Sequence, residues 1–258
     1  MDWTVSPNTP IARLPRALRP PALVVRNLFP GLAARRKYVY EADGLATAHF
    51  SPFLDDREYA DLYAETAHEL FGVDVRWRMW VQTSLARECR DLPGNYAEFG
   101  VYRGGCAFMV LSTCSLPPSK HVFLFDTFAG IPADALTESE VAAGLAGGLA
   151  DTSSGHVAER LVKWRAQVTL VEGDVFETLP IQETGPLAFV HMDMNAAAPT
   201  LRALEYVYPR LVAGAILLLD DYGWKGLEAQ RDVVDEFFSQ KPETVVALPT
   251  GQGLLIKR

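Results

Sequence analysis

The chain has 258 residues, 49% of them apolar and 22% charged, with mean hydropathy near zero. That is ordinary globular composition with enough apolar content for one α/β core and no need of disulfide staples. The net charge of −8 is uneven: residues 1–37 carry seven Arg or Lys against one acid, for +6, leaving −14 on residues 38–258. An acidic body disfavours nucleic acid as a partner, and no stretch reaches the roughly 18 apolar residues of a transmembrane segment. Cys89, Cys106 and Cys114 are an odd set without metal-site spacing, so reduced core thiols and a cytoplasmic setting are expected.

In chain order, Pro7, Pro10, Pro15, Pro20, Pro21 and Pro30 deny residues 1–37 a long helix. A Pro/Arg-rich N-terminal arm over residues 1–55 is expected, packing on the body or on a second subunit of a homo-oligomer, with lipid or partner binding as the other reading. The body is then residues 56–258. From Asp55 to Leu92, apolar residues at three-to-four spacing (Tyr59, Leu62, Tyr63, Ala67, Leu70, then Trp77, Trp80, Val81, Leu85, Cys89) predict two helices.

Strand-like apolar runs then alternate with helical stretches: Asn95–Val101, His121–Asp126, Val168–Asp174, Leu187–Asp193 and Ala215–Asp221. Alternation of this kind predicts an α/β fold with a mostly parallel sheet and crossover helices. Thr244–Leu248 and Gly253–Lys257, joined by four residues, predict a C-terminal antiparallel hairpin. The small, Gly-rich run Ala142–Ala150 lies within a segment, Ile131–His156, expected to form a mobile lid.

Ligands of open parallel sheets bind beyond the carboxyl ends of the strands. The first run ends Glu98-Phe99-Gly100-Val101-Tyr102-Arg103-Gly104-Gly105, a turn that lets a ligand approach the backbone at a helix N-terminus, or else simply packs tightly. The second ends Asp126-Thr127-Phe128, where a carboxylate can accept ribose hydroxyls or cap a helix. The third ends Asp174-Val175-Phe176, offering an acid for an adenine amino group and a ring for stacking. Together these ends suit a nucleoside ligand without a pyrophosphate, since no Gly-x-Gly-x-x-Gly or Walker sequence is present. The fourth and fifth runs bring Asp193, Asp220 and Asp221. Adjacent strand residues face opposite ways, so Asp220 and Asp221 can share a site only if the chain already turns there. Three gathered carboxylates call for a hard cation such as Mg²⁺, the alternative being a helix cap with solvated neighbours.

The Glu98–Gly105 turn, Phe125–Pro132, Asp151-Thr152-Ser153, Gly173–Pro180, Asp220–Gly223 and Thr250–Gly253 occur in an order that resembles the macrocin-type O-methyltransferase family, which includes the mycinamicin and novobiocin sugar methyltransferases. The resemblance covers roughly residues 56–258. It implies a class I methyltransferase (Rossmann-like) fold with a seven-stranded sheet, helices on both faces, and Mg²⁺-dependent methylation of a hydroxyl, often on a sugar. It implies S-adenosylmethionine as donor and S-adenosylhomocysteine as product. The donor site falls on Glu98, Gly100 and the rest of its turn (Val101, Tyr102, Gly104, Gly105), on Asp126, Thr127, Phe128, Asp174, Val175, Phe176 and on Asp193. The metal site falls on Asp193, Asp220 and Asp221.

One departure stands out. Where many members read Asp-x-Asp-x-Tyr-Glu-Pro-Thr, this chain reads Asp193-Met194-Asn195-Ala196-Ala197-Ala198-Pro199-Thr200, so the second acid is Asn195. An amide takes no proton at neutral pH. Asn195 is therefore expected to orient the acceptor on the same strand face as Asp193, with His156 the candidate base if its loop closes. His191, inside an apolar run, reads as a core or supporting residue. The alternatives are a phenol or catechol methyltransferase and a donor-binding subunit without transfer activity.

Overall fold

The computed structural model describes residues 38–70, 72–180 and 182–258, so the arm expected at residues 1–37 lies outside the described residues. The first described elements are a short hairpin, β1 (Tyr40–Ala42) and β2 (Leu45–Thr47), followed by a 3-10 turn at Pro52–Leu54. Two helices follow, α1 (Arg57–Thr66) and α2 (Arg76–Glu88). Asp56 caps α1 by accepting from the Tyr59 N–H at 3.0 Å, and Tyr59, Tyr63 and Thr66 form its buried stripe.

The expected apolar face of α2 is displaced. Its fully buried residues are Met79, Gln82, Thr83 and Ala86, whereas Trp77 and Trp80 turn aside to an aromatic cluster. There Phe53 meets Tyr40 at 5.5 Å and Trp77 at 5.2 Å edge-on, and Trp80 meets Tyr59 at 4.9 Å. Large rings cover more surface there than they could beneath the sheet, and edge-to-face pairs add to the burial. The cluster fastens the hairpin to the two helices.

The central sheet has seven strands in the order β5-β4-β3-β6-β7-β9-β8. β3 (Asn95–Phe99), β4 (Val122–Asp126), β5 (Val168–Glu172), β6 (Leu187–Met192) and β7 (Leu211–Leu219) are parallel. β9 (Gly253–Ile256) runs antiparallel to β7, and β8 (Val246–Ala247) antiparallel to β9, completing the expected hairpin. Between them lie α3 (Gly105–Cys114), α4 (Glu138–Ala142), α5 (Ser154–Arg160), α6 (Val175–Thr178), α7 (Ala197–Val207) and α8 (Glu228–Phe238).

Alternate side chains of the strands feed two cores. Tyr96, Leu124, Ile216 and Leu218 pack with α1, α2, α3 and α5; Ala97, Phe99, Phe125, Val190, Leu217 and Leu219 pack with α6, α7 and α8. Being covered on both faces explains why these strands read as continuous apolar runs, and each fully buried Leu or Phe contributes about 1.5–3 kcal/mol. Four strands end one or two residues earlier than the apolar pattern suggests, at Phe99, Glu172, Met192 and Leu219. The chain leaves the ladder there to present its polar residues at the strand ends. No described helix is long and apolar enough to cross a membrane.

Candidate active site

The carboxyl ends of β3, β4, β5, β6 and β7 border a cleft made of two adjoining cavities, of about 640 Å³ and about 70 Å³, that share Gly100, Asp126, Leu149, Asp193 and Asn195. Its floor is main chain. Gly100 has φ +83°, and a Cβ there would stand 1.8 Å from the Asp193 carbonyl oxygen, so only glycine lets the ends of β3 and β6 cross. Beneath, Phe99 and Phe125 stack with centroids 4.4 Å apart. Beyond Gly100 the turn reaches α3 through Gly104, which is left-handed and supplies no side-chain cap. The first N–H groups of α3 are thus left for a ligand, and Gly105 lines the large cavity.

Asp126 closes this turn from β4. One oxygen accepts from the Val101 and Tyr102 N–H groups at 2.7 and 2.8 Å, and the other from Phe128 N–H at 2.7 Å. Its carboxylate therefore shapes the glycine turn, with one lone pair, on Oδ1, left over for a hydroxyl group in the cleft. Thr127 donates to the Gly130 carbonyl and lines the small cavity with Asp174 and Val175. Asp174 caps α6 through Phe176 N–H at 2.9 Å. The two rings expected nearby are elsewhere: Phe128 is buried in the core on the α3 side, and Phe176 is 49% exposed, so neither lines the cavities. Tyr102 lines the large cavity and donates from its hydroxyl to Asp151 at 2.9 Å.

Asp193, Asp220 and Asp221 all line the large cavity, and the last two occupy a turn just past β7. Asp220 is heavily partnered. Its Oδ2 lies 2.5 Å from Nη1 of Arg78, its Oδ1 accepts from Gln252 Nε2 at 2.8 Å, and His191 Nε2 stands 3.5 Å from Oδ1. Burial opposes its charge, but Arg78 and His191 outweigh burial and hold Asp220 well below the usual carboxylate range. Burial likewise opposes charge on His191, yet Asp220 and Glu98, 3.9 Å from Nδ1, raise its pKa to about 10.

Asp193 and Asp221 feel the same cations more weakly than burial and the neighbouring acids. Their carboxyls lie against one another, and Asn195 Nδ2 donates to Asp193 Oδ1 at 3.1 Å. Burial first, then repulsion from Asp220, pushes Asp193 up to about 6; burial, then Asp193 and Asp220, pushes Asp221 well up. Asp221 Oδ2 is buried with no hydrogen-bond partner. The ligand atoms of His191, Asp193 and Asp220 fall within 4.8 Å of one another. An excess of buried carboxylate with an orphaned oxygen is an arrangement that a hard divalent cation relieves.

Asn195 does reach Asp193, though not by strand alternation. Both residues lie beyond β6, and Asn195 is left-handed at φ +54°, which folds its amide back; Asn tolerates that conformation better than most residues. His156 is not brought to the acids. It sits in the first turn of α5, with Nε2 3.2 Å from Glu69 Oε1, beside an open groove lined also by His68, Arg103 and Asp151–Ser153; Glu69 lines both this groove and the large cavity.

Sequence reasoning missed Arg78, whose Nε and Nη2 also grip Asp43 at 2.8 and 2.6 Å and whose guanidinium lies 5.0 Å from the Trp224 ring. A cation within the apolar run Trp77–Trp80 was its one visible signal. The hairpin turn Asp43-Gly44, which falls within the span assigned to the arm, lines the large cavity together with Leu70, Val73, Val75, Trp224 and Leu227. Gln252 lay in a motif with no role attached to it.

Comparison with known proteins extends this geometry. The macrocin O-methyltransferase (TylF) family model matches residues 41–244. The 8-demethyl-8-(2,3-dimethoxy-alpha-L-rhamnosyl)-tetracenomycin-C 4'-O-methyltransferase of Streptomyces olivaceus is 27% identical over 228 residues, 83% of this chain and 81% of that protein. Mycinamicin III 3''-O-methyltransferase of Micromonospora griseorubida is 28% identical over 194 residues, 70% of this chain and 74% of its own. Among solved structures, the O-methyltransferase NovP superposes with a TM-score of 0.63 at 21% identity, covering 70% of this chain and 79% of NovP. The calicheamicin methyltransferase CalS11 gives 0.61 at 20% identity, covering 81% and 94%.

Proposed function

The chain belongs to the macrocin O-methyltransferase family and is a class I S-adenosylmethionine-dependent O-methyltransferase; from that premise we propose that it methylates a hydroxyl of a sugar or sugar-containing small molecule, assisted by Mg²⁺. The observation that carries the metal reading is the buried, unpartnered Oδ2 of Asp221 beside Asp193 and Asp220. The names of the relatives, two of which methylate glycosylated natural products, support the sugar.

S-adenosylmethionine supplies a methyl on a positively charged sulfonium. The chain's task is alignment and exclusion of water. The open N–H groups of α3 receive the donor's carboxylate, Asp126 offers its remaining lone pair to a ribose hydroxyl, and Asp174 and Val175 border the adenine end. The acceptor enters the large cavity between Trp224, Val73 and the acids. Asp193, Asp220 and Asp221 would hold the cation, which would supply Lewis acidity to the acceptor hydroxyl. Asn195 fixes the Asp193 carboxyl, and Asp221 Oδ2 is the oxygen open to a cation or a proton. Cys89, Cys106 and Cys114 are free thiols, which supports a cytoplasmic setting. We further propose that the transferase body comprises residues 56–258 together with the preceding β1–β2 hairpin, whose Asp43-Gly44 turn lines the large cavity, and that it works as a homo-oligomer.

A second reading has its own support. The apolar residues Leu70, Val73, Val75 and Leu227 beside Trp224 suit an aromatic acceptor, and a phenol needs less activation than a sugar hydroxyl. The test is methyl transfer from labelled S-adenosylmethionine to panels of glycosides and catechols, with Mg²⁺ or with EDTA. Transfer to glycosides that EDTA abolishes supports the first reading, and transfer confined to catechols the second. Donor binding without transfer to either panel counts against both and favours a non-catalytic subunit.

A further inference from the structure

The segment between β4 and α5, expected to be a mobile lid, carries α4 and is nearly all surface. From Ala133 to Ala150 the buried residues are Ala135 and Glu140. With so little apolar burial, its attachment to the body has to be polar. Glu140 provides it. Its Oε2 accepts from the N–H and hydroxyl of Thr137, both at 2.8 Å, closing the capping box of α4. Its Oε1 accepts at 2.7 Å from the N–H of Ala197, 57 residues further along.

Ala197 is the first residue of α7, whose N-cap, Ala196, has no side-chain acceptor to offer. That N–H has no partner within its own helix, and a carboxylate is favourably placed at a helix N-terminus. One side chain therefore serves two helices. The segment supplies Ile131, Pro132 and Leu149 to the small cavity, and the turn leading into α7 supplies Met194 and Asn195, with Pro199 following from the first turn of the helix. We propose that Glu140 is the positioning residue that clamps these two walls of the donor cavity together, so that donor retention and the setting of the Asp193–Asn195 turn depend on one carboxylate. The proposal rests on the donor reading above.

The test uses S-adenosylhomocysteine as probe, titrated by calorimetry, with hydrogen exchange followed over residues 133–150. Glu140→Ala should weaken S-adenosylhomocysteine at least about tenfold, as loss of a buried charge-assisted hydrogen bond implies, and should speed exchange across the segment. Adding Ala196→Ser separates clamping from capping. Position 196 has extended N-cap backbone (φ −148°, ψ 141°), so a serine there can accept from Ala198 N–H and restore the unfolding midpoint without restoring the tie. In the double variant S-adenosylhomocysteine should stay weak. Glu140→Gln, which keeps one acceptor but turns an amide donor towards Thr137, should fold well and fall in between. Full recovery of affinity in the double variant, or unchanged affinity in Glu140→Ala, would overturn the clamp while leaving the donor reading intact. A wild-type chain that binds no S-adenosylhomocysteine would overturn the donor reading, and the proposal with it.

Discussion

Arg78 and Asp220 lie 142 residues apart in the chain and 2.5 Å apart in the fold. The same guanidinium holds Asp43 in a two-pronged grip, so one cation serves two largely buried carboxylates. Removing one partner of a buried pair costs about 3–5 kcal/mol. Arg78→Met should therefore lower unfolding free energy by that order in urea titration, and Arg78→Lys should recover only part of it, since an ammonium cannot reproduce the fork. A loss under about 1 kcal/mol in Arg78→Met would show the ion pairs to be incidental.

S-adenosylhomocysteine at 100 times its dissociation constant should raise native stability by about 2.7 kcal/mol, whereas NAD and ATP should leave the melting curve unmoved. Asp126→Asn puts an amide donor against backbone N–H groups at one of its two oxygens, so the glycine turn loses its shape as well as its charge. Affinity should fall at least about tenfold. Wild-type affinity in that variant would remove Asp126 from the donor site.

Asp221→Asn neutralises an acid whose burial and acidic neighbours already disfavour its charge. Without metal the variant should be as stable as the parent or more so, yet lose any Mg²⁺-dependent rise in melting temperature and most of its transfer activity. Calorimetric Mg²⁺ titration of both proteins decides it, and equal binding would place the cation elsewhere.

Asn195→Gly should retain the left-handed turn while deleting the amide, whereas Asn195→Ala should cost about 1 kcal/mol more for the same deletion. Both should lower transfer by misplacing Asp193. His156→Ala should leave the acidic limb of kcat/KM against pH where it was, because His156 is held by Glu69 and lines neither cavity of the cleft. A flattened limb would bring the histidine into the reaction.

Glu243 ties the last strand to the loop before β8. It accepts from Lys257 at 2.6 Å, from the Tyr208 hydroxyl at 2.8 Å and from Arg258 N–H at 3.2 Å. Burial opposes its charge, but these donors outweigh burial and hold its pKa near about 2, below the ordinary 4.5. A depressed acid adds stability above its unfolded pKa and loses it as pH falls through the folded one. The stability gap between wild type and Glu243→Gln should be flat above 4.5 and close towards about 2. A gap that persists to the acid end would assign the effect to packing.

The sheet was legible because its strands are buried on both faces and read as unbroken apolar runs, and the acids at their ends marked the cleft by position alone. What escaped was of two kinds. Arg78 and Glu140 act across 142 and 57 residues, and their partners are set by tertiary packing that no local pattern encodes. The resemblance puts both Phe128 and Phe176 in the donor site, but a positive φ at Phe128 turns its ring into the core, and the short helix α6 carries Phe176 outward. Strand alternation puts Asn195 on the face of Asp193 to orient an acceptor, but both residues lie past β6, and a left-handed turn brings the Asn195 amide to Asp193 itself.

The crossing of main chain at Gly100 divides the cleft by how freely it can change. A side chain at that point would collide with the Asp193 carbonyl, so drift at that point of the floor is closed off, and on the proposed donor reading the methyl donor meets a backbone that substitution at Gly100 cannot alter. The walls of the large cavity come from three separate stretches: the hairpin turn at Asp43-Gly44, the link carrying Val73 and Val75, and the loop from Trp224 to Leu227. The last two can be exchanged without re-registering a strand, whereas Asp43 is held by its pair with Arg78 and by the β1–β2 turn. New acceptor preferences should therefore arise, in nature or in a directed library, from those last two stretches, against a donor platform that stays constant.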